Sequence, residues 1–452
     1  MSLYETKIGR TELFVDGSVL EATKGGARLR MHPPELKEIA VSAEKPWEWH
    51  VGGYQSVTPD GKGGYFLYYR GFGTSRTYKV DEGEKQVSCV CHSADGINFR
   101  RLNTGFLWEG SRENNIVYAN SMICHNFTPF YDANPNCAPS ERFKAVGGLS
   151  GEGGGLFALA SEDGINWRPL CKEPILTKGA FDSQNVAFYD SVLGKYRMYS
   201  RYWTGATETN IWGEIRAIQS CASDDFLHWS EPVPNDYGEE ITEHFYTNAA
   251  CPCPGAEHML LSFPNRFNPT RKRISAHDGD GVSDTVFMAS RDGVKWSRLF
   301  KESWLRPGLD EANWTDRNMM VGAGIVEMPD GNFSLYCSEN IYEKDNRIRR
   351  ISIRRHGFVS LSAGWETGCG ITKPFLYEGG ELRLNYSTSA AGYVKAWLVG
   401  APENAPELYG DSLDDIYPLK AGEELIGKPI QLCFQLKDAD LYSYRFAKQR
   451  RE

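Results

Sequence analysis

One turn phrase occurs four times in this chain. Residues 93–99 read SADGINF, residues 161–167 SEDGINW, residues 223–229 SDDFLHW and residues 290–296 SRDGVKW, so successive copies start 68, 62 and 67 residues apart. Self-similarity at a near-constant period confines the fold to repeated supersecondary units. Each copy follows a short apolar run: QVSCVC, GLFALA, IRAIQSCA and TVFMA. The phrase therefore predicts a strand, a tight turn on Asp-Gly, and an aromatic residue that anchors the next strand. Asp95, Asp163, Asp224 and Asp292 are expected to cap the turn amides. Trp167, Trp229 and Trp296 are expected to pack between units.

Each period reads as four strands. Residues 179–232 supply FDSQNVAFYD, KYRMYSRYW, EIRAIQSCAS and HWSEPV, and residues 243–299 repeat the order with TNAACPCPG, HMLLSFPNRF, SDTVFMAS and KWSRL. A fifth unit lacks the turn phrase but keeps three strands: GAGIVEMPD, NFSLYCSEN and NRIRRISIRR. Four-stranded sheets repeated around an axis make a propeller. The predicted fold is all-β: a five-bladed β-propeller over residues 45–357, followed by a β-sandwich over 358–452. Residues 1–44 are expected to add a strand to either part.

Composition agrees with that reading and narrows the partners. Aromatic residues make up 13% of the chain and there are 46 glycines, which suits strands joined by turns. The net charge is −9, so no nucleic acid is expected. No apolar run is long enough to span a bilayer. With no signal peptide, a cytoplasmic location is expected unless a leader has been removed. The eleven cysteines fall partly in strand phase (Cys89/Cys91, Cys251/Cys253) and are expected to be buried free thiols, as in a reducing compartment. No metal or cofactor is expected.

In such a repeat, inner-strand starts, second-strand ends and third-strand starts converge on one mouth. Polar residues at those points need an explanation beyond stability. Inner-strand starts offer Glu48 and His50, His125 and Asn126, Asp182, Gln184 and Asn185, Glu243, His244, Tyr246 and Asn248, and Asp316, Arg317 and Asn318. Second-strand ends offer Arg70, Arg201, Arg266 and Glu339, and third-strand starts Glu214, Asp284 and Arg349. Trp203, Trp212 and Trp314 lie nearby and suit sugar stacking. Acid–base work at such a mouth takes two carboxyl groups, one donating a proton and one attacking or activating water. Asp182 and Glu243 are the expected pair, with Glu243 raised toward general-acid use by His244, Phe245 and Tyr246; Asp316, beside Arg317, is the third candidate. The expected substrate-binding set is Glu48, His125, Asn126, Gln184, Asn185, Arg201, Trp203, His244, Tyr246, Asn248, Trp314, Arg317, Glu339 and Arg349.

The S-x-D-G-x-x-W turns, five units and trailing strands resemble the five-bladed propeller glycoside hydrolases, above all family 32 and its relatives in family 43. The resemblance implies a glycosidase acting on a terminal sugar, such as a fructoside or arabinofuranoside. The chain departs from family 32 in lacking W-x-N-D-P-N-G; its first unit reads PWEWHVGGYQ. The family's catalytic residues therefore have no counterparts to carry over. Two other readings stand beside hydrolysis. One is a glycoside phosphorylase, with Arg201, Arg317, Arg349 and His244 as the phosphate pocket. The other is a propeller that binds carbohydrate without cleaving it. The expected partner is a carbohydrate, not a nucleic acid or a membrane; the sequence does not set the oligomeric state.

Overall fold

A computed structural model describes residues 4, 6–48, 53–72, 86–207, 213–275, 279–341, 343–401 and 404–448. The fold is all-β and comprises two compact units, one of Pro34–Ser352 and one of Met1–Pro33 with Ile353–Glu452.

Within the larger unit the repeats appear as successive antiparallel sheets. The first runs Ser56–Pro59, Tyr65–Phe72, Gln86–Ser93, Arg100–Arg101, with Ile116–Ala119 also paired to Gln86–Ser93. The second runs Thr128–Tyr131, Phe143–Leu149, Gly155–Ser161, Arg168–Pro169, and the third Val186–Asp190, Lys195–Trp203, Arg216–Ser223, Val233–Pro234. The fourth repeat, expected as one sheet, is parted in two. His244–Phe245, Asn265–Asn268 and Val282–Thr285 form one piece, and Cys251–Pro252, Leu260–Ser262 and Met288–Ser290 the other. Pro264 has no N–H to give a ladder in mid-strand, and Ala249 turns the inner strand at φ +43°. The fifth sheet orders Met320–Val321, Asn332–Glu339, Arg347–Arg354 and Glu35–Ser42.

The last and first sheets touch directly. Val57 N–H donates to Ala323 O at 2.9 Å, and Gln55 Nε2 donates to Met320 O and Tyr336 O at 2.8 and 3.0 Å. A cavity of about 420 Å³ is lined by Val57, Phe130, Val186, Cys251 and Ala323, one residue from each repeat.

The turn phrase explains how neighbouring sheets lock. Asp95 Oδ1 accepts the N–H groups of Ile97 and Asn98, both at 2.8 Å, and Asp163 and Asp292 cap their turns in the same way. In the third copy the cap is Asp225, not Asp224. Asp225 is the residue two places after the serine, and Asp224 pairs with Lys195 instead. Gly96, Gly164 and Gly293 sit at φ +70°, +75° and +78°. Their carbonyls accept tyrosine hydroxyls from a neighbouring sheet: Tyr336 of the fifth sheet at 2.6 Å, Tyr68 of the first at 2.8 Å and Tyr199 of the third at 2.9 Å. A Cβ on Gly164 or Gly293 would meet that hydroxyl at 2.7 Å. The third turn breaks the rule with Phe226 at φ +69°. There the preceding sheet carries Val146 at the tyrosine's register position, and the Phe226 ring lies in the same buried cluster.

In the smaller unit a sheet orders Leu20–Gly25, Gly368–Thr372, Leu432–Ala447, Val359–Ala363 and Arg28–Met31. Thr11–Leu13 and Glu381–Leu398 also pair with Leu432–Ala447. The N-terminal segment thus serves both units, since Glu35–Ser42 joins the fifth sheet. All eleven cysteines are free thiols, and all but Cys171 and Cys369 are buried. Among the described residues no helix is long and apolar enough to cross a membrane, and no group of three His, Cys, Asp or Glu is placed to hold a metal.

Candidate active site

Strand ends from different repeats meet around one tyrosine. Tyr246, from the fourth repeat, is half-buried, and three guanidinium groups lie over its ring: Arg201 at 5.0 Å, Arg216 at 5.7 Å and Arg317 at 6.0 Å. Its hydroxyl is 3.3 Å from that of Tyr54, which precedes the first inner strand and contacts the Asp182 carbonyl at 3.2 Å. Arg70, at the end of the first sheet's second strand, stacks on Tyr54 at 4.9 Å and donates to His125 O at 3.2 Å. The His125 ring lies 6.0 Å from that of Tyr54. All five repeats therefore contribute. Tyr54 and Arg317 both adopt left-handed backbone, at φ +65° and +61°, a strain that accumulates at functional sites.

The charges are unequal. Arg201 is 1% exposed and pairs with Asp182, whose side chain is 35% exposed. Arg317 Nε pairs with Asp316 at 2.8 Å. Arg216 instead lies over Trp203 at 4.2 Å and Phe267 at 5.1 Å, with its backbone N–H donating to His244 Nδ1 at 3.2 Å. Burial and the nearby Arg201 lower the pKa of Arg216, while Asp182 and Asp316 both act to raise it; both aspartates thus lie within electrostatic reach of one guanidinium. Burial, with Arg70 next, pushes His125 down to about 3 against an opposing pull from Asp182. Burial, then Tyr54, keeps Tyr246 well above an ordinary phenol. Nε and Nη1 of Arg201, Nε of Arg216 and Nδ1 of His125 are buried without a hydrogen-bond partner. Such groups are costly to leave unmet, and a ligand rich in oxygen acceptors satisfies them.

The other expected residues divide by role. Glu243 belongs to a separate network: its carboxylate is taken by Arg266 at 3.0 Å and by Arg298, and Arg266 also holds Asp284 at 2.6 Å. Glu243 lines an open cavity of about 940 Å³ with His244, Phe267, Asp284 and Trp314, where the Trp314 indole is fixed by Gly308 O at 3.0 Å. Glu48 is fully buried and spends its carboxylate on Tyr69, Arg101 and the N–H groups of Glu44 and Lys45. Asn126 clasps Gly148 and Phe181, Gln184 donates to Gln55 O, and Asn185 and Asn248 bond to backbone carbonyls. Glu339 is buried between Arg347 and Arg349, both at 2.7 Å. These last six residues hold backbone or arginines in place. His50 and Trp212 lie outside the described residues.

Sequence reasoning missed Tyr54 and Arg216. Glu214 was expected at the third-strand start, but that strand begins at Arg216, two residues on and in the same phase. Tyr54 stands two residues before the inner strand Ser56–Pro59, and nothing in GGYQS marks it as facing the mouth.

No protein-family model and no curated protein matches the chain. Solved structures of similar shape include one named as a glycoside hydrolase, 14% identical, covering 72% of this chain and 94% of its own, with a TM-score of 0.49. Another belongs to a study of family 130 mannoside phosphorylases and of hydrolases that target β-1,2 mannosidic linkages in Candida mannan; it is 14% identical over 72% of this chain and 94% of its own, with a TM-score of 0.45. A third is the β-1,2-mannobiose phosphorylase of Listeria innocua, 10% identical over 71% of this chain and 96% of its own, with a TM-score of 0.46. None of these three is named as a family 32 or family 43 enzyme, and identities this low transfer no residue roles.

Proposed function

We propose that this chain is a carbohydrate-active enzyme that cleaves the glycosidic bond of a terminal sugar at the mouth of a five-bladed β-propeller, with the strands after residue 357 forming a β-sandwich. The observation that carries the reading is the cluster around Tyr246. Five repeats place two aspartates, four arginines and two tyrosines together, with buried N–H donors left open to a ligand. The contacts between first and fifth sheets and the cavity common to all five repeats support the propeller.

Asp182 is the more exposed of the two aspartates and takes the acid–base role at the leaving oxygen. Asp316, clamped by Arg317, is the ionised partner that attacks the anomeric carbon or activates water. Glu243 is assigned to the outer cavity, because two arginines occupy its carboxylate. Phosphorolysis is the second reading, favoured by the excess of arginine over carboxylate. In it a phosphate oxygen attacks the anomeric carbon, the C–O bond breaks, and the Asp182 proton goes to the departing oxygen.

A panel of nitrophenyl glycosides, assayed with and without inorganic phosphate, separates the two: hydrolysis proceeds without phosphate and phosphorolysis requires it. Asp182→Asn and Asp316→Asn are each expected to lower kcat by about 10²–10⁴-fold. Wild-type turnover in both variants, or binding of sugar with no turnover by the parent chain, would refute the catalytic reading.

A further inference from the structure

A second reactive cluster lies in the second repeat and takes no part in the proposed reaction. Asp132 is completely buried, just past the strand Thr128–Tyr131. Lys144, 4% exposed, gives its three ammonium protons to Asp132 Oδ2 at 2.7 Å, Cys137 Sγ at 3.1 Å and Glu141 O at 3.2 Å. Tyr196 of the third sheet donates to the same Asp132 oxygen at 2.7 Å. The lysine is therefore held with its nitrogen against sulfur at the separation of a near-attack conformer. Cys137 itself is 8% exposed, just below the surface, and both its neighbours, Asn136 and Ala138, are exposed.

We propose that Cys137 and Lys144 are a modification site at which hydrogen peroxide drives a covalent sulfur–nitrogen crosslink. The sulfur attacks one peroxide oxygen, the O–O bond breaks, and two electrons pass from sulfur to peroxide, giving a sulfenic acid and one water. Lys144 passes one proton to Asp132, and its freed amine attacks the sulfur. The S–O bond breaks, the hydroxyl leaves with a second nitrogen proton as water, and the S–N bond forms. One peroxide is consumed, two waters are released, and the chain loses two hydrogens. Two equivalents of a small thiol reverse the step, returning thiol and amine and forming a disulfide of the reductant. The crosslink erases the Lys144–Asp132 ion pair beneath the contact between second and third sheets, so the oxidised protein is less stable. The proposal is independent of the glycosidase reading.

The test uses the full chain, treated with dilute hydrogen peroxide and digested with trypsin. The expected product is a pair of tryptic peptides, parted after Arg142 but joined through residues 137 and 144, two hydrogens lighter than the two together, with cleavage after residue 144 lost. The melting temperature is expected to fall by several degrees and to recover with dithiothreitol. Cys137→Ser keeps the lysine and aspartate in place; it should cleave normally after Lys144 following peroxide and show no reversible fall in melting temperature. Four results overturn the proposal. They are Cys137 carrying added oxygen with Lys144 still cleavable, Cys137 in a disulfide, a bridge that retains an oxygen atom, and the same reversible melting shift in Cys137→Ser.

Discussion

Arg201 shows what a single side chain contributes here. It is almost wholly enclosed and pairs with Asp182, yet two of its N–H donors face no acceptor. Replacing it with Met removes those donors and the countercharge of Asp182 together. The expected result is a loss of about 10²–10³ in kcat/KM, most of it in kcat, measured on whichever glycoside the parent chain turns over. His125 offers a pH signature. Its folded-state pKa is about 3, against roughly 6.5 when unfolded. Between those values the unfolded chain binds the extra proton, so stability rises with pH through this window and is lost as pH falls through it. His125→Gln should flatten the dependence of melting temperature on pH between about 3 and 6.5, by up to one proton's slope, relative to the parent. An unchanged slope means the ring is not the buried neutral group described. At this scale the strand-end positions of Asp182, Arg201 and Tyr246 were legible because they follow from the repeat. Glu48, Asn126 and Asn248 shared the same positional logic but serve backbone and the half-buried Arg101, a distinction that depends on which way each side chain turns.

The strand–turn phrase was the most readable element, since its capping aspartate and left-handed glycine act within a few residues. Its failures came where the partner is remote. Phe226 breaks the glycine rule because the sheet before it offers Val146 in place of a tyrosine, and spacing alone does not join positions 80 residues apart. The split of the fourth repeat follows from Pro264, a local signal that an uninterrupted strand had overlooked. The exchange between turn and neighbouring sheet is open to a double-mutant cycle. Phe226→Gly alone should cost about 3–5 kcal/mol through loss of a buried ring, and Val146→Tyr alone should be destabilising by about 1–3 kcal/mol through overpacking. Together they recreate the glycine–tyrosine lock of the other turns, so the double variant should be more stable than the sum of the singles by at least about 1 kcal/mol, read from urea midpoints. Additivity would show that the two positions do not exchange volume.

For the whole molecule, the repeat count and all-β class were visible because they rest on composition and period. A β unit after residue 357 and an N-terminal strand were also expected, but not which strands pair, because the sheet joins residues 11–31 to strands more than 300 positions later and no local pattern names a partner at that distance. Deleting residues 1–33 strips three strands from that sheet. Hydrogen exchange in Val359–Ala363, Gly368–Thr372 and Leu432–Ala447 is expected to rise by at least about tenfold, while Val186–Asp190 and Lys195–Trp203 keep their protection. The same pairing has a consequence during synthesis. Thr11–Leu13 leaves the ribosome early, but Leu432–Ala447, against which it is zipped, emerges only some 420 residues later, roughly 20–80 s at ordinary elongation rates. For that interval the leading edge is an unmated strand, and closing its sheet is among the last steps by which the newborn polypeptide matures.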